Sequence, residues 1–381
     1  MIEKWIKLPF GANCGLRSAN KQDFRITVDH SKKITYLFSI DALRVIAILA
    51  VLLIHITTKT LQTLDHNVLI APLSLFLNQL ARFAVPLFFL ISGFVLELNN
   101  RRGLSYVIFF KKRASRIVVP FLFWSTIYFL IGWDFDFQKL LSLRFLQDIL
   151  YGTASYHLYF IPTLILFYLA FPFLHSITKI IKNPFVLGSI VILQTALQFK
   201  DYYYGQLNIH QDLRIAILSI YMFILGMLAS HHKEKIFAFV NKYLILFVLS
   251  LFFLLVIIFF HVKNLTLARH TAGYIYNQYG PLNYLYTALF ASVLFYILEK
   301  TKFLRKIFIS LSKLSFFVFF IHVFILNFLW GSAVLFLIKN YGKVLLTQLW
   351  FDIVLFILIS FISFVIAYVT HKISWAYKIT G

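Results

Sequence analysis

The most constraining feature of this chain is a series of apolar runs, most of them about 18–25 residues long, set between short polar and basic stretches. That is the length a helix needs to cross a ~30 Å hydrocarbon core at ~1.5 Å per residue. Lipid offers no hydrogen-bond partner to a backbone amide, so each run is expected to satisfy its own amides as a helix. The runs do not show the period-2 alternation of a transmembrane barrel, and no internal repeat marks an inverted-repeat transporter. The runs place ten spans at roughly 36–57, 72–98, 118–135, 157–177, 184–199, 213–229, 243–260, 281–298, 314–338 and 348–369. The predicted fold class is all-α: a polytopic membrane helix bundle of about ten transmembrane helices over 36–369. A basic segment, 1–35, precedes it and a short tail, 370–381, follows.

Composition agrees. Of 381 residues, 61% are hydrophobic and 13% charged, whereas soluble domains run nearer ~45–50% and ~25%. In a soluble protein a net charge of +22 would point to nucleic acid. Here the basic residues fall in the connections and orient the chain, so no nucleic-acid partner is expected. With the N-terminus inside, 25 Lys and Arg lie in inner segments and eight in outer loops. By the positive-inside rule both termini are cytoplasmic, in an inner (plasma) membrane. Residues 1–33 have no apolar core of the signal-peptide kind, so the first run reads as a retained span. Cys14 is the single cysteine, which excludes an intramolecular disulfide and a Cys-based zinc site. The longest loops are about 20 residues, so any chemistry belongs to the bundle itself.

Ionisable residues inside membrane spans are costly and mark functional sites. In the first span Arg44 and His55 are eleven residues apart, three turns plus ~20°, so both fall on one stripe about 16 Å apart. Asp41, three residues before Arg44, can pair with it. The bland alternative is a snorkelling arginine and an interfacial histidine. Arg82 opens Arg82-Phe-Ala-Val-Pro-Leu-Phe-Phe-Leu-Ile-Ser-Gly-Phe94 and needs a partner; Pro86 and Gly93 interrupt that helix, or are the kinks and close-packing points that proline and glycine commonly make in membrane helices. Arg113 and Arg116, at i,i+3 before Pro120, would share a helical face and can grip phosphate, or simply serve the positive-inside rule. His157 opens the fourth span, where an interfacial place would also suit it. His322 lies deep in the ninth span among Phe residues; His231, His232 and His371 read as loop residues. No phosphate-binding loop, His-Glu-x-x-His or Gly-x-Ser-x-Gly motif occurs.

These residues resemble a known family. Asp41-Ala-Leu-Arg44 with ten residues to His55 is similar to the first-helix signature of the acyltransferase family 3 membrane proteins, which O-acylate carbohydrates. The stretch Arg82–Phe94 resembles the branch that modifies surface polysaccharides. Arg113 and Arg116 resemble the family's cytoplasmic basic motif, and His157-Leu-Tyr-Phe160 its fourth-helix entry. Ser315 through His322 resembles its late helix, with Phe316, Phe317 and Phe319 where more Tyr is expected.

The resemblance implies an acyl-CoA donor, usually acetyl-CoA, used from the cytoplasmic side, no permanently bound cofactor or metal, and a glycan or lipid-linked saccharide acceptor. It implies His55 as general base or transient acyl carrier, and Arg44, steadied by Asp41, as oxyanion stabiliser or donor anchor. Arg113 and Arg116 would hold CoA phosphates; Arg82, His157 and His322 are pocket candidates. Composition alone fits a polysaccharide or lipid exporter equally well.

Overall fold

The computed structural model describes residues 37–101, 103–204, 211–269, 275, 279–301, 304–348, 350–373 and 379. The basic segment 1–35 with Cys14, and most of the tail 370–381, lie outside the described residues. Among the described residues every regular element is helical. They are α1 (Phe38–Thr63), α2 (Pro72–Ala81), α3 (Ala84–Asn100), α4 (Tyr106–Arg113), a π turn (Ala114–Val118), α5 (Val119–Gly132), α6 (Leu143–Tyr151), α7 (Phe160–Ser176), α8 (Thr178–Ile181) and α9 (Pro184–Tyr203). Then follow α10 (Gln211–Lys242), α11 (Leu244–Arg269), α12 (Pro281–Lys300), α13 (Arg305–Leu329), α14 (Leu335–Tyr341) and α15 (Phe351–His371).

Eight stretches among the described residues are long and apolar enough to cross a membrane. In three of them two helices run on as one: α2 with α3, α4 with α5, and α13 with α14. The chain is therefore a multi-pass membrane protein. The other two expected spans are helices as well. One is α7, whose 17 residues sit at the lower limit for crossing. The other is the 20-residue α9, which carries Lys200 and Asp201 in its last turns.

Several helices outrun the apolar runs that announced them. α10 reaches Lys242, α13 starts at Arg305 and the third span starts at Tyr106, so much of the expected inner loops is helical. No Gly or Pro interrupts 230–242 or 305–313, and Lys, Glu, Ala and Phe continue a helix outside lipid as readily as inside it. His231 and His232 are thus helical, and His371 closes α15, correcting their reading as loop residues. The second span breaks at Arg82–Phe83, between α2 and α3, rather than at Pro86 or Gly93. Pro86 falls in the first turn of α3, where its missing N–H costs nothing.

Gly93 is a contact point instead. A Cβ there would come within 2.0 Å of the Phe223 carbonyl oxygen, and one on Gly226 within 1.9 Å of that of Leu90. The two glycines let α3 and α10 cross backbone to backbone, as small residues do in membrane bundles. α1 is the central column. It packs on α2, α3, α12, α13 and α15, and its buried residues lie nearly all around the helix. α11 and α15 instead present exposed Phe252, Phe253, Ile357 and Phe361, the apolar exterior that lipid covers.

Candidate active site

At the N-terminal end of α1, Arg44 Nη1 donates to Asp41 Oδ1 at 3.2 Å, and Ser312 Oγ of α13 donates to the same oxygen at 2.7 Å. Asp41 thus ties α1 to α13 and orients Arg44. Beside them a cavity of about 380 Å³ opens between α1, α3, α7, α13 and the α4–α5 stretch. Its charged lining comprises Arg44, Arg113, Arg116 and Lys313 against Asp41 alone. The π turn directly after Arg113 widens the helix locally, and both Arg113 and Arg116 line the cavity. Arg113 lies over the rings of Phe109 and Tyr168, 5.6 and 5.4 Å from their centroids. These contacts flatten the guanidinium against the wall. Its Nε is buried with no hydrogen-bond partner among the described residues. Four cations and one committed carboxylate make a receptor for a polyanion, and guanidinium groups match phosphate oxygens in geometry as well as charge.

At the other end of the α1 stripe three imidazoles meet. His55 of α1 and His322 of α13 have ring centroids 5.2 Å apart, His322 and His157 are 5.2 Å apart, and His55 and His157 are 6.4 Å apart. His157 and His322 are buried, at 2% and 1% exposure, and His55 is partly exposed beside the Tyr156 ring. His322 Nδ1–H donates to the carbonyls of Val318, at 3.1 Å, and Phe319, at 2.8 Å. That sets the tautomer: Nε2 keeps its lone pair, buried and without a partner among the described residues. Ser155 Oγ lies 3.1 Å from His157 Nδ1. Tyr128 donates to the Phe320 carbonyl at 2.6 Å and accepts the Phe324 amide at 3.1 Å, clamping α5 to α13 beside the cluster. Among the described residues no group of His, Cys, Asp and Glu is arranged to hold a metal ion.

Arg82 belongs to the histidine end. It is 3% exposed, at the α2–α3 break, and donates from Nε and Nη2 to Asn78 Oδ1 at 2.9 and 2.6 Å. Asn78 Nδ2 in turn donates to Thr57 Oγ1 at 2.9 Å and Thr58 Oγ1 at 3.0 Å, the turn of α1 just past His55. Asn283 Nδ2 donates to the Arg82 carbonyl at 3.2 Å, a partner for a backbone group near the helix break. Arg82 thereby fixes the α1 turn that carries His55.

The eight candidate residues therefore form two groups. Asp41, Arg44, Arg113 and Arg116 meet at the cavity; His55, His157 and His322 meet at the cluster, braced through Arg82. A third polar centre had no sequence signal. Buried Glu97 of α3 accepts from His175 Nδ1 of α7 at 2.8 Å and from His231 Nε2 of α10 at 2.6 Å. Nothing short of the α3–α10 crossing shows that residues 134 positions apart share a carboxylate.

Residues 37–372 match the acyltransferase domain of acyltransferase family 3. The chain belongs to that family. No curated protein and no solved structure matches it. Membership makes this acyltransferase an enzyme and sets aside the exporter reading, which rested on composition. The matched region takes in both groups of residues.

Proposed function

We propose that this acyltransferase moves an acyl group, acetyl in the simplest case, from acyl-CoA to a hydroxyl of a cell-surface or lipid-linked glycan. It would work in the inner membrane with both termini cytoplasmic, as a member of the surface-polysaccharide branch. The observation that carries this reading is the joining of a cationic cavity and a histidine cluster by one stripe of α1. The cavity is built from segments rich in Lys and Arg, 99–117 and 299–313, which the positive-inside rule assigns to the cytoplasm, where CoA is found.

In this reading Arg113, Arg116 and Lys313 hold the CoA phosphates. Arg44, held by Asp41, anchors the donor rather than the reacting carbonyl, because about 16 Å of helix separates it from His55. The pantetheine arm would cover that distance between the cavity and the cluster. The acceptor reaches His55 from the other side of the membrane, His55 being the least buried member of the cluster. Its hydroxyl oxygen attacks the thioester carbonyl carbon. The new C–O bond forms, the C–S bond breaks, His55 takes the hydroxyl proton and the CoA thiolate leaves. The neutral Nε2 of His322, one ring contact away, steadies the imidazolium that forms on His55.

Mass analysis of surface glycans from cells with and without this protein tests the reading. An acyl substituent present only in cells carrying the protein is the expected result; identical glycans would refute the assignment.

A further inference from the structure

The cavity and the histidine cluster are not one continuous space. α7 and α13 face each other with matched stripes. On the first lie His157, Phe160, Leu164 and Tyr168, and on the second His322, Phe319, Phe316 and Ser312. From Phe160 and Phe319 onward both stripes line the cavity, whereas the two histidines belong to the cluster. In each case the phenylalanine is three residues from the histidine: one helical turn within α13, and across the turn that leads into α7 for His157 and Phe160. The Phe160 and Phe319 rings meet at 5.6 Å between centroids. Phe319 also touches the rings of His157, at 5.3 Å, and His322, at 6.1 Å. Phe160 also packs on Phe88, a cavity-lining residue, at 5.7 Å and on Phe89 at 5.1 Å. One layer of aromatic rings therefore closes the cavity at its histidine end.

We propose that the Phe160–Phe319 pair is the acyl-length selector of this enzyme: an aromatic septum, one helical turn thick, that the acyl thioester must enter to meet the histidines. The inference rests on acyl-CoA binding at the cationic cavity. Both rings are buried, at 7% exposure, and both backbones are committed to helices. The Phe319 carbonyl also holds the His322 tautomer. The rings can turn aside for a two-carbon acyl group at small cost, because rotamer changes leave the backbone in place. Every further methylene must displace packed aromatic surface. Apolar pockets discriminate by about 10–200-fold per methylene, so the preference for acetyl over butyryl should be steep.

The test uses membrane vesicles from cells that lack the native copy and express the full chain, so that the native acceptor is present. Transfer of radiolabelled acetyl, propionyl and butyryl groups from their CoA thioesters is measured at equal protein levels. Phe319→Ala and Phe160→Ala are expected to lower the acetyl-to-butyryl ratio of kcat/KM by about tenfold or more. Phe319→Leu, which keeps an apolar side chain if the alanine variant fails to fold, should lower it less. Phe320→Ala empties a fully buried site next in sequence that does not line the cavity; it should reduce protein level or overall rate and leave the ratio alone. A ratio within about twofold of wild type in the folded Phe319 and Phe160 variants overturns the septum alone. Failure of the wild-type protein to turn over any of the three thioesters overturns the donor assignment, and the septum with it.

Discussion

The two ends of the α1 stripe solve opposite problems. At the Arg44 end charge is concentrated: three cations beyond the Asp41–Arg44 pair, an open cavity, and a guanidinium pressed on aromatic rings. At the His55 end the charged groups near α1, Arg82, Lys59 and Asp352, are each hydrogen-bonded to a neutral side chain, and the imidazoles are packed against one another and against Tyr and Phe rings. A polyanion is recognised best by many groups that stay ionised. A proton is moved best by a group that exists in both forms near neutral pH, and among side chains only imidazole does so unperturbed. In the proposed reading, separating the two keeps the cavity cations away from the imidazole that takes the proton, and calls for a long donor whose anionic part and reactive carbon lie a helix half-length apart.

The sharpest way to break this comparison is topological, since its outcome is all or none. A reporter placed in 99–117 or 299–313, or fused after Gly381, should read cytoplasmic, and one in 136–156 or 261–280 external. An external reading for 99–117 would remove the cavity from the compartment that holds acyl-CoA.

Next in size is His55→Ala. Loss of a positioned base costs about 10²–10⁴-fold in rate, so transfer should fall at least that far while acyl-CoA titration of the purified protein is unchanged. Transfer at the wild-type rate and equal protein level would dissolve the functional distinction between the ends. The complementary change is the double substitution Arg113→Ala with Arg116→Ala. A charge-assisted phosphate contact is worth about 1.5–3 kcal/mol, so donor affinity should drop about tenfold or more. Turnover at saturating donor should survive, and the remaining binding should depend less on salt. An unaltered donor titration would return these residues to a purely topological role.

The smallest effects should come from the Asp41–Arg44 pair at the cavity end. Arg44→Lys keeps the charge and loses the planar fork, so a defect of several-fold in donor KM is expected. Asp41→Asn should give a milder version of the same defect, roughly that of one weakened hydrogen bond, about 0.5–1.5 kcal/mol. Parallel titrations of the two variants order them; an Asp41→Asn defect larger than that of Arg44→Lys would mean that the Ser312 bond to α13, not the hold on Arg44, is what Asp41 contributes.

Much of this was legible in one dimension. Helices follow from apolar length, because backbone amides in lipid are satisfied within their own segment. The Asp41–Arg44–His55 stripe follows from helical periodicity, a local property. Arg113 and Arg116 were legible as a pair, though not the π turn that follows Arg113 and contains Arg116. The Glu97–His175–His231 centre was not, since its three members lie on three helices and none stands out by spacing. Proline and glycine flag Pro86 and Gly93, and Gly93 is a close-packing point; the break at Arg82–Phe83 carries no such flag, and is held by Asn78 one turn before it and by Asn283 from a distant helix.

By itself, then, the sequence determined that this protein is a membrane helix bundle, and which residues of α1 share a face. Both depend on interactions between residues a few positions apart. Only the tertiary structure decided that His157 and His322 join His55, that Lys313 and Ser312 complete the cationic end, and that two phenylalanines stand between. Those meetings depend on which helices pack together and at what height. That is set by close contacts such as Gly93 against Phe223, among segments far apart in the chain, where no local pattern records the partner.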